Sequence, residues 1–481
     1  MKHVMFVAAE SAPFIKTGGL GSVIGSLPEE LNRLGVKTSL VIPGYECIQP
    51  EYRDQMETLF SFPVKLGWRE SMVDLCYLKY QDIDCYFIGN SFYYCGDSPY
   101  NDIWLDIEKF AFFCKAVLEM LSYLELPVNI IHCHDWQTGL LPVFLITMYQ
   151  HDPYYRRIKT IMTIHNIKFQ GITEIGRMKD ITGLPDHVFT YDKMECYGNA
   201  NMLKGGIAYA DKITTVSETY AHEIQTPEYG EGLFQTLYFR RDDLSGIVNG
   251  IDWKTYDPET DDKISDNFNS ENFETIRPEN KLTLQHFAGF QEDRRTFTMG
   301  IVSRLTEQKG YDLLEGTLEA FFQSGAQLYV LGEGEQWVED IFRGYREKYP
   351  DQVYLETAYQ DAIAKKIYAG CDLTLMPSRF EPCGLNQMMA QRYGCLPLVR
   401  ATGGLKDTVR DDGEITGDGT GFSFDRYDKK DLYLTLERAH TMYEDYSEEW
   451  NQRIRAGMKE DFSWTHSAKA YKKMYLSLAG E

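Results

Sequence analysis

The chain has 481 residues, 25% of them charged and 43% hydrophobic, with a formal net charge of −23 and a pI of about 4.9. That length exceeds one ordinary core, so two large α/β domains are the expectation. So acidic a balance argues against nucleic acid and against an anionic membrane surface, and leaves a neutral macromolecule as a compatible partner. No apolar stretch approaches the roughly 20 residues of a bilayer span. The opening run Met1-Lys2-His3-Val4-Met5-Phe6-Val7-Ala8-Ala9 is interrupted by Glu10 and Lys16 before any cleavage-like site, and reads as a buried strand rather than a signal peptide. Ten cysteines lie scattered without CxxC pairs, several within apolar segments, which points to reduced thiols and a cytoplasmic compartment.

The first elements form a βαβ unit. A strand over Val4–Ala9 leads into a loop at Lys16–Gly21 and then a helix with Val23, Leu27, Leu31 and Leu34 on one stripe. Gly35 suits the C′ position, and Lys37–Pro43 returns as a strand. Further strands are predicted at Cys85–Gly89, Asn129–Cys133, Lys159–Ile164 and Asp211–Val216, with helical periodicity over Lys109–Leu124. The polar stretch Asp257–Asn280 lacks an apolar period and makes 250–280 the linker candidate. A second alternating series follows: strands at Phe297–Ser303, Gln327–Leu331, Gln352–Glu356, Cys371–Pro377 and Leu396–Arg400, with helices near Tyr311–Gln323, Asp361–Ala369 and from Gly384. This alternation predicts two doubly wound, mainly parallel sheets, over 1–250 and 251–460, facing across a cleft. A last helix over Thr465–Leu476, within 461–481, is able to cap either domain.

Chemistry concentrates where predicted strands end. In Ser378-Arg379-Phe380-Glu381-Pro382-Cys383-Gly384-Leu385 a carboxylate and a thiol stand at a sheet's carboxyl edge, where open α/β sheets bind ligands. Ala401-Thr402-Gly403-Gly404 ends the next strand in an amide-rich turn suited to an anion. Lys16-Thr17-Gly18-Gly19-Leu20-Gly21 lets backbone approach a ligand and adds a mobile cation, but fits neither the P-loop nor GxGxxG. Arg304 and Lys309 follow a strand and would flank a diphosphate; a solvated loop in which they pair with Glu307 is the plain alternative. His132-Cys133-His134 resembles a metal cluster, yet on a strand Cys133 points away from the two histidines. Asp135 and His165-Asn166 end neighbouring strands and are better placed for a ligand. Asp82-Ile83-Asp84 mimics a DxD metal site, but it precedes its strand and so lies at the wrong edge.

Taken together, these segments resemble the bacterial glycogen synthase and plant starch synthase family of retaining glucosyltransferases. The likeness runs in order through Lys16–Leu20, His134-Asp135-Trp136, Thr163-Ile164-His165-Asn166, Tyr209-Ala210-Asp211-Lys212 with Thr215-Val216-Ser217, and Ile224-Gln225-Thr226-Pro227. It continues through Val248-Asn249-Gly250-Ile251-Asp252, Ser303–Gly310, Ser378–Leu385 and Arg400–Leu405. The resemblance implies two facing Rossmann-like domains of the GT-B type and transfer of glucose from ADP-glucose to the non-reducing end of an α-1,4-glucan such as glycogen. It implies that Lys16, Gly18 and Gly19 meet the donor phosphates from one side. Arg304, Lys309, Thr402, Gly403 and Gly404 hold them from the other. Tyr359 lies against the adenine, and His165, Asn249, Glu381, Cys383 and Gly384 surround the glucose, with Asn166, Ser378 and Leu385 also binding substrate and Asp135 toward the acceptor. It further implies departure and attack on one face of the sugar, with no metal and no cofactor beyond ADP-glucose as co-substrate.

Three positions depart from the family pattern. Ser22 replaces an Asp after Gly21; both are good N-caps, so the helix is expected to survive the change. Asn386 stands where Thr is usual, and Met389 where many retaining relatives carry a second Glu. Ser22 raises a non-catalytic binding paralogue as an alternative, opposed by the presence of Lys16, His165, Arg304 and Glu381. UDP-glucose in place of ADP-glucose, or another acceptor, is the other alternative.

Overall fold

The computed structural model describes residues 2–415 and 419–480. The chain divides into two compact units, Met1–Asn249 with Trp464–Glu481, and Gly250–Ser463. In the first, a nine-stranded sheet is built from β1 (His3–Val7), β2 (Lys37–Pro43), β3 (Glu57–Leu66), β4 (Arg69–Tyr80), β5 (Ile83–Gly89), β6 (Ile130–His134) and β7 (Lys159–Ile164) with two later strands. A small antiparallel sheet comprises β8 (Ile172–Glu174), β9 (Glu195–Cys196) and β10 (Asn199–Asn201), after which β11 (Lys212–Thr215) and β12 (Leu244–Gly246) complete the large one. Its order is β12-β11-β7-β6-β1-β2-β5-β4-β3. Every residue of β1 and β6 is buried, as a parallel strand covered on both faces requires.

The β3–β4 hairpin is absent from the sequence reading, although Phe62, Val64 and Leu66 alternate with exposed Pro63 and Lys65. Pro63 is tolerated because β3 is the edge strand of the sheet. Asp82 lies in the turn between β4 and β5 with φ 63°, at the amino end of β5, and Asp84 accepts a hydrogen bond from Tyr77 Oη at 2.8 Å.

In the second unit, β13 (Thr298–Val302), β14 (Gln327–Leu331), β15 (Val353–Glu356), β16 (Leu373–Met376), β17 (Leu396–Arg400) and β18 (Phe422–Phe424) form one wholly parallel sheet. Its order, β15-β14-β13-β16-β17-β18, is the dinucleotide-fold order 3-2-1-4-5-6. Each large sheet has one place where consecutive connections leave in opposite directions, between β1 and β6 and between β13 and β16, and ligands bind at such switch points.

Two sequence expectations are corrected. The helix near Tyr311–Gln323 is broken into a 3₁₀ turn, Tyr311–Leu313, and a short helix, Glu319–Gln323, because Gly316 between them has φ +79°. The stretch 250–280 is not a linker: Phe273–Ala288 is a helix, and Asp261, Phe268, Phe273, Arg277, Asn280 and Lys281 are all buried. Its polar residues escaped an apolar-period reading because they bury charge. Lys281 Nζ donates to Asp372 Oδ2 at 2.6 Å, to Tyr443 Oη at 2.8 Å and to the carbonyl of Thr296 at 3.0 Å. Asp372 Oδ2 also accepts from the Thr298 amide at 2.9 Å, and Lys365 Nζ donates to Asp261 Oδ1 at 3.3 Å.

The helix Trp464–Leu478 belongs to the first unit. Thr465 Oγ1 donates to Glu30 Oε1 at 2.7 Å, Lys472 Nζ to the carbonyl of Leu34 at 2.7 Å, and Tyr475 Oη meets His132 Nδ1 at 2.8 Å. No helix among the described residues is long and apolar enough to cross a membrane.

Removing one partner of a buried, hydrogen-bonded ion pair costs more than the pair is worth, because the other charge stays buried. Lys281→Met is therefore expected to lower the unfolding free energy by about 3 kcal/mol, and Lys281→Met with Asp372→Asn to recover part of it. Urea denaturation of the three proteins measures this; a single variant as stable as the parent contradicts it.

Candidate active site

The second unit gathers its polar groups at the β13/β16 switch point. After β13, Arg304 is exposed and makes no ion pair among the described residues. The expected competing pair with Glu307 is not formed: the side chain facing Glu307 is Arg379, at 3.8 Å. Lys309 ends a 3₁₀ turn, Glu307–Lys309, and Gly310 follows at φ +71°, where an added Cβ would lie 2.0 Å from the carbonyl oxygen of Pro377. Only glycine lets the β13 loop press against the end of β16. That contact delivers Lys309 Nζ to Glu381 Oε2 at 2.6 Å, and Ser378 Oγ donates to the same oxygen at 3.1 Å. Glu381 and Ser378 are buried.

The next turn is fitted as closely. The Gly404 amide donates to the carbonyl of Glu381 at 3.1 Å, and a Cβ on Gly403 (φ +46°) would stand 1.9 Å from that oxygen. A Cβ on Gly404 would stand 2.1 Å from the carbonyl oxygen of Cys383. Thr402, Gly403, Gly404, Glu381, buried Cys383, Gly384 and Leu385 thus form one layered pair of turns. The helices they open, Gly403–Thr408 and Asn386–Arg392, are only six and seven residues long, so the turn amides outweigh any long helix dipole. Asn386 Nδ2 donates to the carbonyl of Val302, which ties this turn to β13. Tyr359, just before the helix Asp361–Gly370, is 55% exposed, leaving its ring available for stacking.

The first unit has a corresponding cluster at the β1/β6 switch point. Asp135 follows β6 at φ 58°, a strained conformation for a non-glycine residue. Its Oδ1 accepts the amide of His165 at 2.7 Å, and burial, reinforced by the charge of Glu10 and opposed by those amide bonds, raises its pKa to about 7. His165 Nε2 faces His134 Nδ1 at 3.0 Å, and burial lowers its pKa to about 3, so the ring is neutral. Asn166 accepts the Lys168 amide at 3.1 Å, and Asn249 is buried with no partner on Oδ1. Added Cβ atoms on Gly18 and Gly19 would meet nothing within 4 Å, so these glycines serve no internal packing and leave open space beside exposed Lys16.

Two residues here escaped the sequence reading. Buried Glu10 accepts from the amide and hydroxyl of Thr17, and Tyr100 Oη donates to its Oε1 at 3.1 Å. Glu10 thereby fixes the loop that carries Lys16. The rule that found Asp135 and Glu381, a polar residue just past a strand at the switch point, also selects Glu10. Tyr100 lies in a loop with no such signal. The expectation that Ser22 is an N-cap is corrected: the helix Gly19–Arg33 has Gly18 at its N-cap, and Ser22 lies inside its first turn. His132 and His134 are engaged elsewhere: His132 bridges Tyr475 and Thr163 Oγ1, the latter at 2.6 Å.

Residues 3–238 match the family described as starch synthase catalytic domain, and residues 285–456 match glycosyl transferases group 1. With its two doubly wound sheets, the chain is a glycosyltransferase of the GT-B fold. It is 49% identical over 478 residues to a glycogen synthase of Lachnospira eligens, covering 99% of this chain and 100% of the relative, and 47% identical over the same length to that of Lachnoclostridium phytofermentans. The catalytic domain of starch synthase IV from Arabidopsis thaliana, solved bound to ADP and acarbose, superposes with a TM-score of 0.91 at 31% identity over the full length of both chains. The chain belongs to the glycogen synthase and starch synthase family.

Burial lowers the pKa of His132 and His165 to about 3 and that of His3 to about 4, from 6.5, and holds that of His134 well below the usual histidine value. The unfolded chain takes up these protons as the pH falls through 6.5, and the folded chain does not. Stability contributed this way is complete above pH 6.5 and is lost toward acid, by up to about 1.4 kcal/mol per pH unit for each histidine. Urea unfolding at pH 7.5, 6 and 5 is expected to show a steep fall, shallower for His165→Asn; equal slopes for the two proteins contradict it.

Proposed function

We propose that this enzyme transfers glucose from ADP-glucose to the non-reducing end of an α-1,4-glucan, with retention of configuration. The observation that carries the reading is the Lys309–Glu381–Ser378 cluster at the switch point of a nucleotide-type sheet, in a chain similar over its whole length to glycogen synthases. Breaking the bond between the anomeric carbon and the phosphate oxygen sends the electron pair to the departing ADP and leaves positive charge on the ring. In the second unit Arg304, Lys309 and the Thr402–Gly404 turn receive the phosphate charge; in the first, Lys16 and the amides of Gly18 and Gly19 are the groups suited to an anion. No metal is required for that task. Each such preorganised group is worth about 3 kcal/mol in the transition state. Glu381 faces the developing positive charge, with Lys309 and Ser378 fixing its carboxylate.

His165, neutral, hydrogen-bonds a glucose hydroxyl without adding a competing cation. In the second unit Cys383, Gly384 and Leu385 line the sugar and Tyr359 stacks on the adenine; in the first, Asn166 and Asn249 are suited to sugar hydroxyls and Asp135 to the acceptor. The acceptor hydroxyl attacks from the face the phosphate leaves, and its proton passes to the departing phosphate oxygen. The reaction is assigned to the cytoplasm, where reduced cysteines and a nucleotide-sugar donor belong together.

Incubation with labelled ADP-glucose and glycogen is expected to place label in glycogen, at a higher initial rate than labelled UDP-glucose. Donor binding without transfer overturns the reading. Glu381→Gln keeps the side chain's size and removes its charge; turnover is expected to fall by about 10²–10³ in a variant that circular dichroism shows still folded, though less stable for losing the partner of Lys309. Near-normal turnover in that variant removes Glu381 from the mechanism.

A further inference from the structure

Two exposed indoles of the first unit are held in place rather than left free. Trp68, 72% exposed, occupies the Gly67-Trp68 turn between β3 and β4. Its Nε1 donates to Asp180 Oδ1 at 2.9 Å, and the Arg69 guanidinium covers the ring at 4.4 Å from its centroid. Gly67 has φ +59°, and a Cβ there would lie 2.7 Å from the carbonyl oxygen of Asp180, so the hairpin tip rests directly on the helix Ile175–Thr182. Trp104, 60% exposed, is the second residue of the helix Ile103–Leu124. The Arg177 guanidinium lies 3.5 Å from its ring centroid and donates to its carbonyl at 2.6 Å. Arg69 joins the halves, pairing with Glu108 at 3.2 Å and with Asp180 at 2.9 Å.

An exposed aromatic side chain ordinarily loses freedom on binding; here cation–π contacts and hydrogen bonds have ordered both rings beforehand. Arg69 is paired with Glu108 and Asp180, and Glu108 and Asp102 lie near Arg177, so neither guanidinium is left as a free charge for an anionic partner. It offers flat rings beside carboxylates, which suit the C–H faces and hydroxyls of a neutral sugar chain. It is also close along the chain to the switch-point cluster: Trp104 follows Tyr100 by four residues, at most about 15 Å along the backbone, and Tyr100 bonds Glu10. We propose that the Trp68–Trp104 surface binds the α-glucan acceptor away from its reacting end. This rests on the proposed function, since it takes the acceptor as glucan.

The test is electrophoresis of the whole chain through native gels containing glycogen, with no donor present. The parent protein is expected to be retarded, and Trp68→Ala and Trp104→Ala each to weaken glycogen binding at least tenfold. Trp104→Phe, which keeps a stacking ring, is expected to restore most of it. A parent protein that migrates freely overturns the proposal, as do alanine variants retarded like the parent or a folded Trp104→Phe that restores nothing. If the indoles instead join two copies of the chain, sedimentation shows a dimer that Trp68→Ala dissociates with retardation intact, which also overturns it. Retardation lost in the variants stands as support even where labelled ADP-glucose gives no product, so failure of the catalytic reading is told apart from failure of this one.

Discussion

A buried carboxylate at the end of a strand requires a cation and hydrogen-bond donors, and the second unit is arranged around meeting that requirement for Glu381. Lys309 reaches it because Gly310 lets the β13 loop touch Pro377, and Ser378 adds a hydroxyl from the same strand end. The amide of Gly404 then takes the backbone carbonyl of Glu381, so the turn after β17 is stacked on the turn after β16. Three loops from three strands are therefore fixed by contacts to one residue. A side chain added at Gly310, Gly403 or Gly404 would collide with backbone rather than with a movable side chain. The arrangement is preorganised in the sense that matters for stabilising charge: the groups pay no reorganisation when charge develops between them.

The first unit meets a similar constraint differently. Glu10 is buried and Asp135 half-buried near it, without a cation bonded to either among the described residues. Asp135 responds by a raised pKa, and Glu10 by taking Thr17 and Tyr100 as donors. The exposed Lys16 is carried on the loop that Glu10 holds, so the lysine is positioned through Thr17 while its charge stays uncommitted to any internal partner.

Parallel strands were legible in the sequence because a strand buried on both faces is a continuous apolar run, as in Val4–Val7 and Leu373–Met376. The strand ends followed, and with them Glu381, Asp135 and His165. What was not legible depends on pairing across long separations. The buried Lys281–Asp372 pair joins residues 91 positions apart, so nothing in the sequence near Lys281 shows that its charge is buried and paired. The hairpin β3–β4 carried a visible alternation but no turn signal beyond Gly67. Gly310 and Gly404 gave no hint of the backbone they touch, because the contacted residues lie elsewhere in the chain.

His134 at the end of β6 and His165 just after β7 show how one buried contact sets the chemistry of a neighbouring ring. His134 is buried and neutral, and its Nε2 has no partner among the described residues. A neutral imidazole carries one N–H; on Nε2 it would be an orphaned buried donor, which folded proteins avoid more strictly than a bare acceptor. The proton therefore belongs on Nδ1, where it is donated to His165 Nε2 at 3.0 Å. His165 Nε2 is then the acceptor, and its own proton must sit on Nδ1, the nitrogen left without an internal partner. A neutral His165 thus presents a donor, not a lone pair, to whatever lies beside it. That suits an oxygen of a sugar better than a metal ion, and it follows from His134 being buried one strand away.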